Sequence, residues 1–269
     1  ACVMSIAQKA TYANYEIVLV ENNSKDPETF AYYETLPERV AAASEGKGVA
    51  RVVYWPGEFN YSQIINFGVE HARGDYLLLL NNDTEVISPD FIEEMMGYLQ
   101  RPDAGVVGAK LYYADHLVQH AGILVGVRGA LAHANQDFSA KREGYLARAV
   151  RPGNFSAVTG ACQMVRRDVF EEVGGYSEEF AVGFNDADFC LRAWEAGYRT
   201  IFTPYAELYH YEFTSRGREE ANEEKLRRWK REQALFMQRW PEFFLTGDPW
   251  LGANLSANSE YFSHLGNGI

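Results

Sequence analysis

The stretch that most constrains the fold is residues 76–80, a run of five apolar residues that ends on Asn81-Asn82-Asp83. Uninterrupted apolar runs of this length are typical of strands buried on both faces in the middle of a parallel sheet. Ligands of such sheets bind beyond the carboxyl ends of the strands. We therefore predict a central strand over 76–80, with the Asp83 carboxylate directed at a ligand.

Two interpretations of this polar cluster stay open from the residues alone. Asn and Asp favour turns because their side chains bond to the nearby backbone. Hard divalent cations such as Mg²⁺ and Mn²⁺ take one or two carboxylates from a protein and complete their shell with phosphate oxygens. Asp83 supplies one full charge, and Asn81 and Asn82 supply neutral oxygen donors. The cluster is as typical of a turn as of a metal site.

The composition excludes several classes of protein. The 269-residue chain is 47% hydrophobic and has a formal net charge of -12, which argues against nucleic acid as its main partner. No apolar run approaches the roughly 20 residues of a membrane span, and no signal peptide is recognised. The three cysteines are odd in number and lack the spacing of metal ligands. We expect a cytoplasmic protein with no nucleic-acid partner and no transmembrane segment.

Strand and helix patterns alternate in the first part of the chain. A strand over 15–20 ends on a second polar cluster, residues 21–24. Between it and the strand at 76–80 we predict a helix over 27–45, a strand over 49–55 and a helix over 61–72. This alternation predicts an α/β fold with a mostly parallel central sheet flanked by helices. The two polar clusters are then expected to share one crevice.

The second part of the chain is less regular. Residues 128–154 have no clear period, which is typical of a lid or binding loop. A strand over 156–165 contains Thr159-Gly160-Ala161, where glycine lets the backbone approach a ligand closely. We divide the chain into a main domain, residues 1–217, and a C-terminal helix with an irregular tail, residues 218–269, packed on it.

Two candidate functional side chains can also be interpreted as purely structural. A helix that begins near residue 185 carries an apolar stripe that includes Trp194, and this leaves Asp186 in the first turn beside the buried face. Asp188 pairs with Arg192 at i,i+4. An Asp in a first turn also stabilises a helix through its dipole, so Asp186 by itself favours a structural role. A single His210 in an aromatic strand is likewise more typical of a core histidine.

Together these segments resemble the inverting family 2 glycosyltransferases, which have the nucleotide-diphospho-sugar (GT-A) fold. Residues 12–24 are similar to the family's strand that touches the nucleotide base, which implies base contacts by Glu21, where Asp is usual, and Asn23. Asn66 and Arg73 lie in segments similar to the one that leads into the metal strand. Asn81-Asn82-Asp83 occupies the D-x-D position, with Asn81 replacing the first Asp.

Later motifs carry the same resemblance in the family's order. Thr159-Gly160-Ala161 resembles the strand that lines the donor sugar and acceptor cleft, to which Trp194 is added as an aromatic ring able to stack on a sugar. Asn185-Asp186-Ala187-Asp188 resembles the E-D-x-D motif, which implies that Asp186 is the catalytic base. His210 matches the late histidine that completes the metal site, and Arg216 falls in a following loop as a clamp for the diphosphate.

The resemblance implies a metal-dependent inverting glycosyltransferase. Mg²⁺ or Mn²⁺ would lie at Asp83 and His210, the donor would be a nucleotide-diphosphate sugar, and the acceptor would be a glycan or lipid-linked glycan. The tail around Asp248 is similar to that of members that act in bacterial surface-polysaccharide synthesis, often rhamnosyl-type transferases. A lipid-linked acceptor would place the protein at the cytoplasmic face of the inner membrane.

Three departures from the family pattern support other hypotheses. The family's first strand is not found before residues 1–12, so we expect the chain to be part of a longer protein, and Asn81 and Asn185 replace acidic residues. These departures favour a non-catalytic sugar-nucleotide or glycan binding domain as the alternative. A nucleotidyltransferase ranks third because no Gly-rich loop with a basic residue is visible near the first strand.

Overall fold

The computed structural model describes residues 1–211 and 222–265. The helices are α1 (Cys2–Lys9), α2 (Pro27–Ala43), α3 (Tyr61–His71), α4 (Phe91–Leu99), α5 (Arg167–Glu172), α6 (Asn185–Glu195), α7 (Glu223–Arg239) and α8 (Pro241–Thr246). The strands are β1 (Tyr15–Glu21), β2 (Gly48–Tyr54), β3 (Tyr76–Leu80), β4 (Thr84–Val86), β5 (Ala104–Tyr112), β6 (Val118–His120), β7 (Ile123–Val125), β8 (Leu131–His133), β9 (Gly153–Phe155), β10 (Cys162–Arg166) and β11 (Arg199–His210). Within these ranges, no helix has both the length and the apolar character that crossing a bilayer requires.

The main sheet is mixed, which corrects the expectation of a mostly parallel one. Its order is β3-β10-β5-β11-β4, with β6 beside β5 and β9 beside β11. Strands β5 and β11 run parallel, whereas the other neighbours in this sheet pair antiparallel. The predicted α/β class is confirmed. The strand orientation differs because β10 lies antiparallel between β3 and β5, and alternation in the first part of the chain does not reveal this insertion.

Strand β3 has the predicted bounds but not the predicted place in the sheet. It lies at one end of the main sheet, and its partner in the described part of the chain is β10. Strands β1 and β2 form a separate parallel pair, with α2 connecting them. Leu77 and Leu79 are buried against the side of the sheet that carries Val69 of α3, while the alternate side chains are partly exposed. The apolar run therefore reflects two unequal faces, not a fully buried centre.

Residues 128–138 contribute to the core, whereas most side chains of residues 139–152 are exposed or partly exposed, so a lid or binding loop over that later part stays a prediction. Strands β7 and β8 pair as an antiparallel hairpin with His133 opposite Ile123. Ala132, Ala134 and Phe138 are buried in the largest apolar cluster of the described chain. Small residues here let the backbone pack closely, which removes the apolar period that would have identified strands.

The C-terminal segment packs on the same core. Helix α7 begins with Asn222 as its cap, whose Oδ1 accepts a hydrogen bond from the Lys225 amide at 2.8 Å. Phe236 and Trp240, together with Phe243 of α8, are buried in the largest apolar cluster. This burial holds the C-terminal end of α7 against the N-terminal part of α6.

A buried carboxylate joins α6 to α7. Asp188 is fully buried, and its oxygens accept hydrogen bonds from Arg192 Nε at 2.9 Å, Arg239 Nη1 at 3.0 Å and Trp240 Nε1 at 3.1 Å. The predicted pairing with Arg192 is confirmed, and the buried Asp188 is a structural partner of Arg192. Burial of a charge is tolerated because three donors compensate its desolvation.

Replacing Asp188 by Ala is expected to lower the free energy of unfolding by about 3 to 5 kcal/mol, because two arginines would lose a buried partner. Chemical denaturation measures this loss. The control is Asp168→Ala, which breaks an ion pair between Arg166 and a 69% exposed Asp168 and should cost about 0 to 1 kcal/mol. Equal losses in the two variants would contradict this account of the α6–α7 contact.

Candidate active site

The Asp83 and His210 side chains meet at one end of the main sheet. Strand β4 pairs antiparallel with the end of β11, with His210 opposite Thr84, and the Tyr211 amide donates to the Asp83 carbonyl at 2.8 Å. As a result Asp83 Oδ1 lies 3.2 Å from His210 Nε2. The Asn81 amide nitrogen is 3.3 Å from the same His210 nitrogen. The strand pairing therefore brings together the two side chains that the sequence assigned to a metal.

The orientation of the His210 ring is fixed by Gln119. His210 Nδ1 lies 2.7 Å from Gln119 Oε1, and Gln119 Nε2 donates to the His210 carbonyl at 3.4 Å. Because an amide oxygen only accepts, the proton of neutral His210 is at Nδ1 and the lone pair is at Nε2. That lone pair faces Asp83. An outer hydrogen bond of this kind is typical of metal-ligating histidines.

The donor set fits a divalent cation that is shared with a substrate. Among residues 1–211 and 222–265, no group of three or more His, Cys, Asp and Glu side chains has the arrangement of a metal site. Asp83 and His210 offer one oxygen and one nitrogen, with side chains 18% and 10% exposed. Cations such as Mg²⁺ often take only one or two protein ligands and complete their shell with phosphate oxygens and water.

Asp186 lies in the first turn of α6, against the turn formed by Thr159-Gly160-Ala161. Its Oδ2 accepts from the Gly160 amide and its Oδ1 from the Ala187 amide, each at 2.8 Å. The carboxylate is partly exposed. Each oxygen keeps acceptor capacity beyond these bonds, because a carboxylate oxygen has two lone pairs. Asp186 is thus held in place while remaining accessible to a ligand.

Tyr61 connects the two halves of the site. Its hydroxyl, in the first turn of α3, lies 3.0 Å from Asn81 Oδ1 and 3.2 Å from the Gly160 carbonyl oxygen. The backbone N–H of Asn81 also donates to the Ala161 carbonyl at 3.0 Å. The loop that carries Asp83 and the turn that holds Asp186 are therefore in direct contact. No feature of the sequence distinguishes Tyr61 from the other aromatic residues.

The loop after β1 is tied to the same end of α3. Glu21 is buried and accepts hydrogen bonds from the Ser24 amide, the Ser24 hydroxyl and the Tyr33 hydroxyl. Burial alone would raise the pKa of Glu21, but these hydrogen bonds outweigh the effect of burial and lower the pKa of Glu21. Burial and the neighbouring Glu21 carboxylate raise the pKa of Tyr33 to about 12. Asn23 Nδ2 donates to the Gly57 carbonyl at 3.1 Å. Gly57 precedes α3, so this loop lies beside the segment that leads into α3 and Tyr61.

Four other sequence candidates have different surroundings. Asn66 holds the backbone of Tyr176 with two hydrogen bonds of 2.9 Å. Asn82 is exposed in the loop beside Asp83. Arg73 precedes β3, at the opposite end of that strand from Asp83, and its amide donates to the Glu16 carboxylate. Arg216 lies outside the described residues.

Trp194 does not join the cleft around Asp186. It was predicted to belong to the buried stripe of α6, but it is 41% exposed and its ring packs edge-on against Phe243 at 5.7 Å. It lies eight residues beyond Asp186, which corresponds to about 12 Å along the helix axis. The stripe prediction is wrong for Trp194, since α8 covers only one side of its ring.

Two histidines near the site were missed by sequence reasoning. His120 is fully buried, and its Nδ1 lies 3.0 Å from Nδ1 of the partly exposed His133. Burial lowers the pKa of His120 far below its usual value and also lowers the pKa of His133, which Asp186 raises in part. The only signal in the sequence was the place of His133 in the stretch 128–154, which has no clear period; His120 lies before that stretch.

The fold and these contacts agree with the comparison to known families. The family described as "Glycosyl transferase family 2" matches residues 1–174 of the 269-residue chain. This chain belongs to glycosyl transferase family 2. The resemblance derived from the motifs is therefore confirmed, and the chain contains a glycosyltransferase domain.

Two relatives of this family 2 chain are considerably longer than it is. The "Uncharacterized protein y4gI" of Sinorhizobium fredii is 38% identical over 97% of this chain, which spans 28% of that protein. The "O-antigen biosynthesis protein RfbC" of Myxococcus xanthus is 36% identical over 80% of this chain, which spans 16% of that protein. The chain thus corresponds to less than a third of either relative.

Solved structures of glycosyltransferases share the fold. A mannosyltransferase from Pyrobaculum calidifontis in complex with GDP-Man and Mn²⁺ superposes with a TM-score of 0.54 at 14% identity, covering 88% of this chain and 69% of that one. A structure of GalNAc-T7 with UDP, GalNAc and Mn²⁺ gives a TM-score of 0.58 at 13% identity, covering 87% of this chain and 50% of that one. At this identity the likeness concerns the fold, which is the expected GT-A type.

Gly160 should tolerate no side chain in this family 2 domain. A Cβ there would lie 3.1 Å from the Tyr176 hydroxyl, which is buried and bonded to Gln163, and 3.4 Å from Asp186 Cβ. We expect Gly160→Ala to lower the free energy of unfolding by about 1 to 3 kcal/mol. The control is Gly97→Ala in α4, where a Cβ meets nothing within 4 Å and should stabilise by about 0.5 to 1 kcal/mol. Thermal or chemical unfolding compares the two, and stabilisation by both changes would contradict the described packing.

Proposed function

We propose that this chain is a metal-dependent inverting glycosyltransferase domain. It moves a sugar from a nucleotide-diphosphate donor to an acceptor hydroxyl, with Asp186 as the catalytic base and with Asp83 and His210 as the ligands of Mn²⁺ or Mg²⁺. Family membership supports glycosyl transfer, and the contacts of these three side chains support the finer assignment. The observation that carries it is the Tyr61 hydroxyl, which bridges the loop of Asp83 and the turn that holds Asp186.

Asp186 has the geometry of a general base. Two backbone amides orient its carboxylate, so its remaining lone pairs have a fixed direction toward the cleft. The acceptor hydroxyl passes its proton to Asp186 as its oxygen attacks the anomeric carbon. The bond from that carbon to the diphosphate breaks in the same step, and the nucleoside diphosphate leaves. A single in-line displacement inverts the anomeric centre.

The leaving diphosphate needs positive charge beside it. A divalent cation held by Asp83 and His210 would supply that charge when bound. Gln119 keeps the His210 proton at Nδ1, so the Nε2 lone pair is the group that would bind the cation, in exchange for its contact with the Asn81 side-chain amide. Asn81, in place of a second carboxylate, donates toward the same nitrogen and adds no charge. Arg216, from outside the described residues, is proposed as a further contact to the diphosphate.

The loop after β1 is proposed to receive the nucleotide base. Glu21 is engaged by Ser24 and Tyr33, so we assign it the shaping of this loop, and Asn23 lies at its rim against Gly57. The Ser24 amide is taken by the Glu21 carboxylate and the Glu21 carbonyl by the Trp55 amide, so within residues 21–24 the backbone groups of Asn22 and Asn23 are proposed to contact a base. Asn66 supports the site indirectly through Tyr176, and Arg73 and Trp194 have no assigned ligand contact.

The relatives indicate the class of acceptor. One is named for O-antigen biosynthesis, and a Mycobacterium tuberculosis relative, 26% identical over 79% of this chain, is named N-acetylglucosaminyl-diphospho-decaprenol L-rhamnosyltransferase. We propose a glycan or lipid-linked glycan acceptor in bacterial polysaccharide or glycoconjugate synthesis. A lipid-linked acceptor would place the reaction at the cytoplasmic face of the inner membrane.

Nucleotide binding is expected to depend on the metal and on Asp83. Calorimetric titration of UDP, dTDP and GDP with Mn²⁺ should show binding of one of them, and EDTA should abolish it because the diphosphate charge is then uncompensated. Asp83→Ala should remove this binding as well. The control is Asp103→Ala, an exposed carboxylate paired with Arg101 and Arg199, which should bind as the unaltered protein does. Undiminished binding in EDTA would contradict the metal assignment.

Asp186→Asn is expected to retain nucleotide binding and to lose catalysis. The amide keeps the shape of the side chain but cannot accept the proton, so turnover should fall by about 10² to 10⁴-fold. Release of nucleoside diphosphate from a panel of UDP-, dTDP- and GDP-sugars measures this. A turnover equal to that of the unaltered protein would rule out Asp186 as the base. Nucleotide binding without turnover in the unaltered protein would instead favour the non-catalytic binding domain.

A further inference from the structure

His120 and His133 form a hydrogen-bonded pair that the mechanism above does not use. His120 lies at the end of β6 and His133 at the end of β8. Their Nδ1 atoms are 3.0 Å apart and their rings are nearly perpendicular, at 79°. One nitrogen of the two must donate and the other must accept. The remaining contacts of His120 decide which.

His120 donates to His133. Two backbone amides, those of Gly122 and Thr159, point at His120 Nε2 from 3.3 and 3.4 Å. An atom that receives two N–H groups carries no proton, so the proton of neutral His120 is at Nδ1. Burial keeps the ring neutral because it lowers the pKa of His120 well below its ordinary value. His133 Nδ1 is therefore the acceptor, and the proton of neutral His133 is at Nε2.

The histidine pair and the proposed catalytic base Asp186 are held by the same turn. The turn that donates to His120 through Thr159 donates to Asp186 through Gly160. The Asp186 carboxylate also acts on His133 electrostatically and partly offsets the fall in its pKa that burial causes. His133 is partly exposed, and the residues described by the structure provide no hydrogen-bond partner for its Nε2. A polar group so placed is available to a ligand.

We propose that His133 is a neutral hydrogen-bond donor to a hydroxyl oxygen of the sugar bound beside Asp186, with its proton fixed at Nε2 by His120. The inference rests on the proposed transferase function. A sugar hydroxyl fits better than a phosphate because the ring is uncharged and Asp186 beside it would repel an anion. A charged ring would pair with Asp186 and reduce its tendency to take a proton, so the neutral form preserves the base. His133 is thus assigned to substrate binding, and His120 to positioning it.

Two substitutions separate the donor group from the structural contact. His133→Asn keeps an oxygen near the position of Nδ1, where it accepts from His120, but provides no donor at the position of Nε2. His133→Gln places an amide N–H near the position of Nε2. We expect His133→Asn to lower the apparent affinity or the turnover for the sugar by about tenfold, and His133→Gln to recover part of that loss. The control is His116→Ala, an exposed histidine paired with Tyr209 outside the site.

The experiment compares an intact sugar nucleotide with its free nucleoside diphosphate in the presence of Mn²⁺. If His133 contacts the donor sugar, His133→Asn weakens calorimetric binding of the sugar nucleotide and leaves binding of the nucleoside diphosphate unchanged. If His133 contacts the acceptor sugar, the affinities for the sugar nucleotide and for the nucleoside diphosphate both stay unchanged, and the rate of transfer to the acceptor falls. Equal behaviour of His133→Asn and the unaltered protein in all three measurements overturns the proposal.

A measurement without ligand tests the proton arrangement separately. Proton–nitrogen correlation spectra that resolve the imidazole nitrogens are expected to show His120 protonated at Nδ1 and His133 at Nε2. The opposite arrangement overturns the proposal even if the protein proves to be a transferase. A protein with the expected tautomers that binds no sugar nucleotide would instead refute the proposed function, so the two failures are distinguishable.

Discussion

The site depends on the pairing of the three-residue strand β4 with the end of β11. This short antiparallel contact sets His210 opposite Thr84 and fixes the Asp83 backbone through the Tyr211 amide. Asp83 and His210 are far apart in the chain and come within 3.2 Å only because of this register. A shift of one residue would turn His210 to the other face of the sheet. The contact between Asp83 and His210 is thus a consequence of strand register, not of local sequence.

The turn formed by Thr159-Gly160-Ala161 is the second organising feature. Its backbone groups contact four partners. The Thr159 amide donates to His120, and the Gly160 amide donates to Asp186. The Gly160 carbonyl lies beside the Tyr61 hydroxyl, and the Ala161 carbonyl accepts from the Asn81 backbone amide. Polar backbone groups in such a place need partners, and here those partners are the functional side chains. The turn therefore couples the position of Asp186 to the positions of the Asp83 loop and of the His120–His133 pair. Glycine is needed because a side chain would press on Tyr176.

Local elements could be predicted from the sequence where a single period dominates. Strand β3 and helices α2 and α3 follow from apolar spacing, and these elements formed close to the expected positions. The placing of β3 at one end of the sheet could not be predicted, because the antiparallel insertion of β10 is a long-range choice that leaves no local signal. The family's motifs selected Asp83, Asp186 and His210; the structure brings Asp83 to within 3.2 Å of His210, and Tyr61 connects the Asp83 loop to the turn that holds Asp186.

Side-chain orientation set the limit of sequence reasoning. Trp194 fits the apolar period of α6 but lies where α8 covers only part of its ring. Arg73 is close to β3 in sequence, yet it precedes the strand while the site follows it. The proton position of His120 can be assigned only from its hydrogen bonds to the Gly122 and Thr159 amides, and that of His133 only from its contact with His120. Such contacts depend on tertiary packing, which residue type and spacing do not encode.

The most direct test of the central claim is an anomalous-scattering measurement on crystals of the protein grown with Mn²⁺ and the nucleoside diphosphate that it binds. The account predicts an Mn²⁺ peak about 2 Å from an Asp83 carboxylate oxygen and from His210 Nε2, with diphosphate oxygens completing the shell. A peak elsewhere, or a bound nucleotide with no Mn²⁺ at these two side chains, would contradict it.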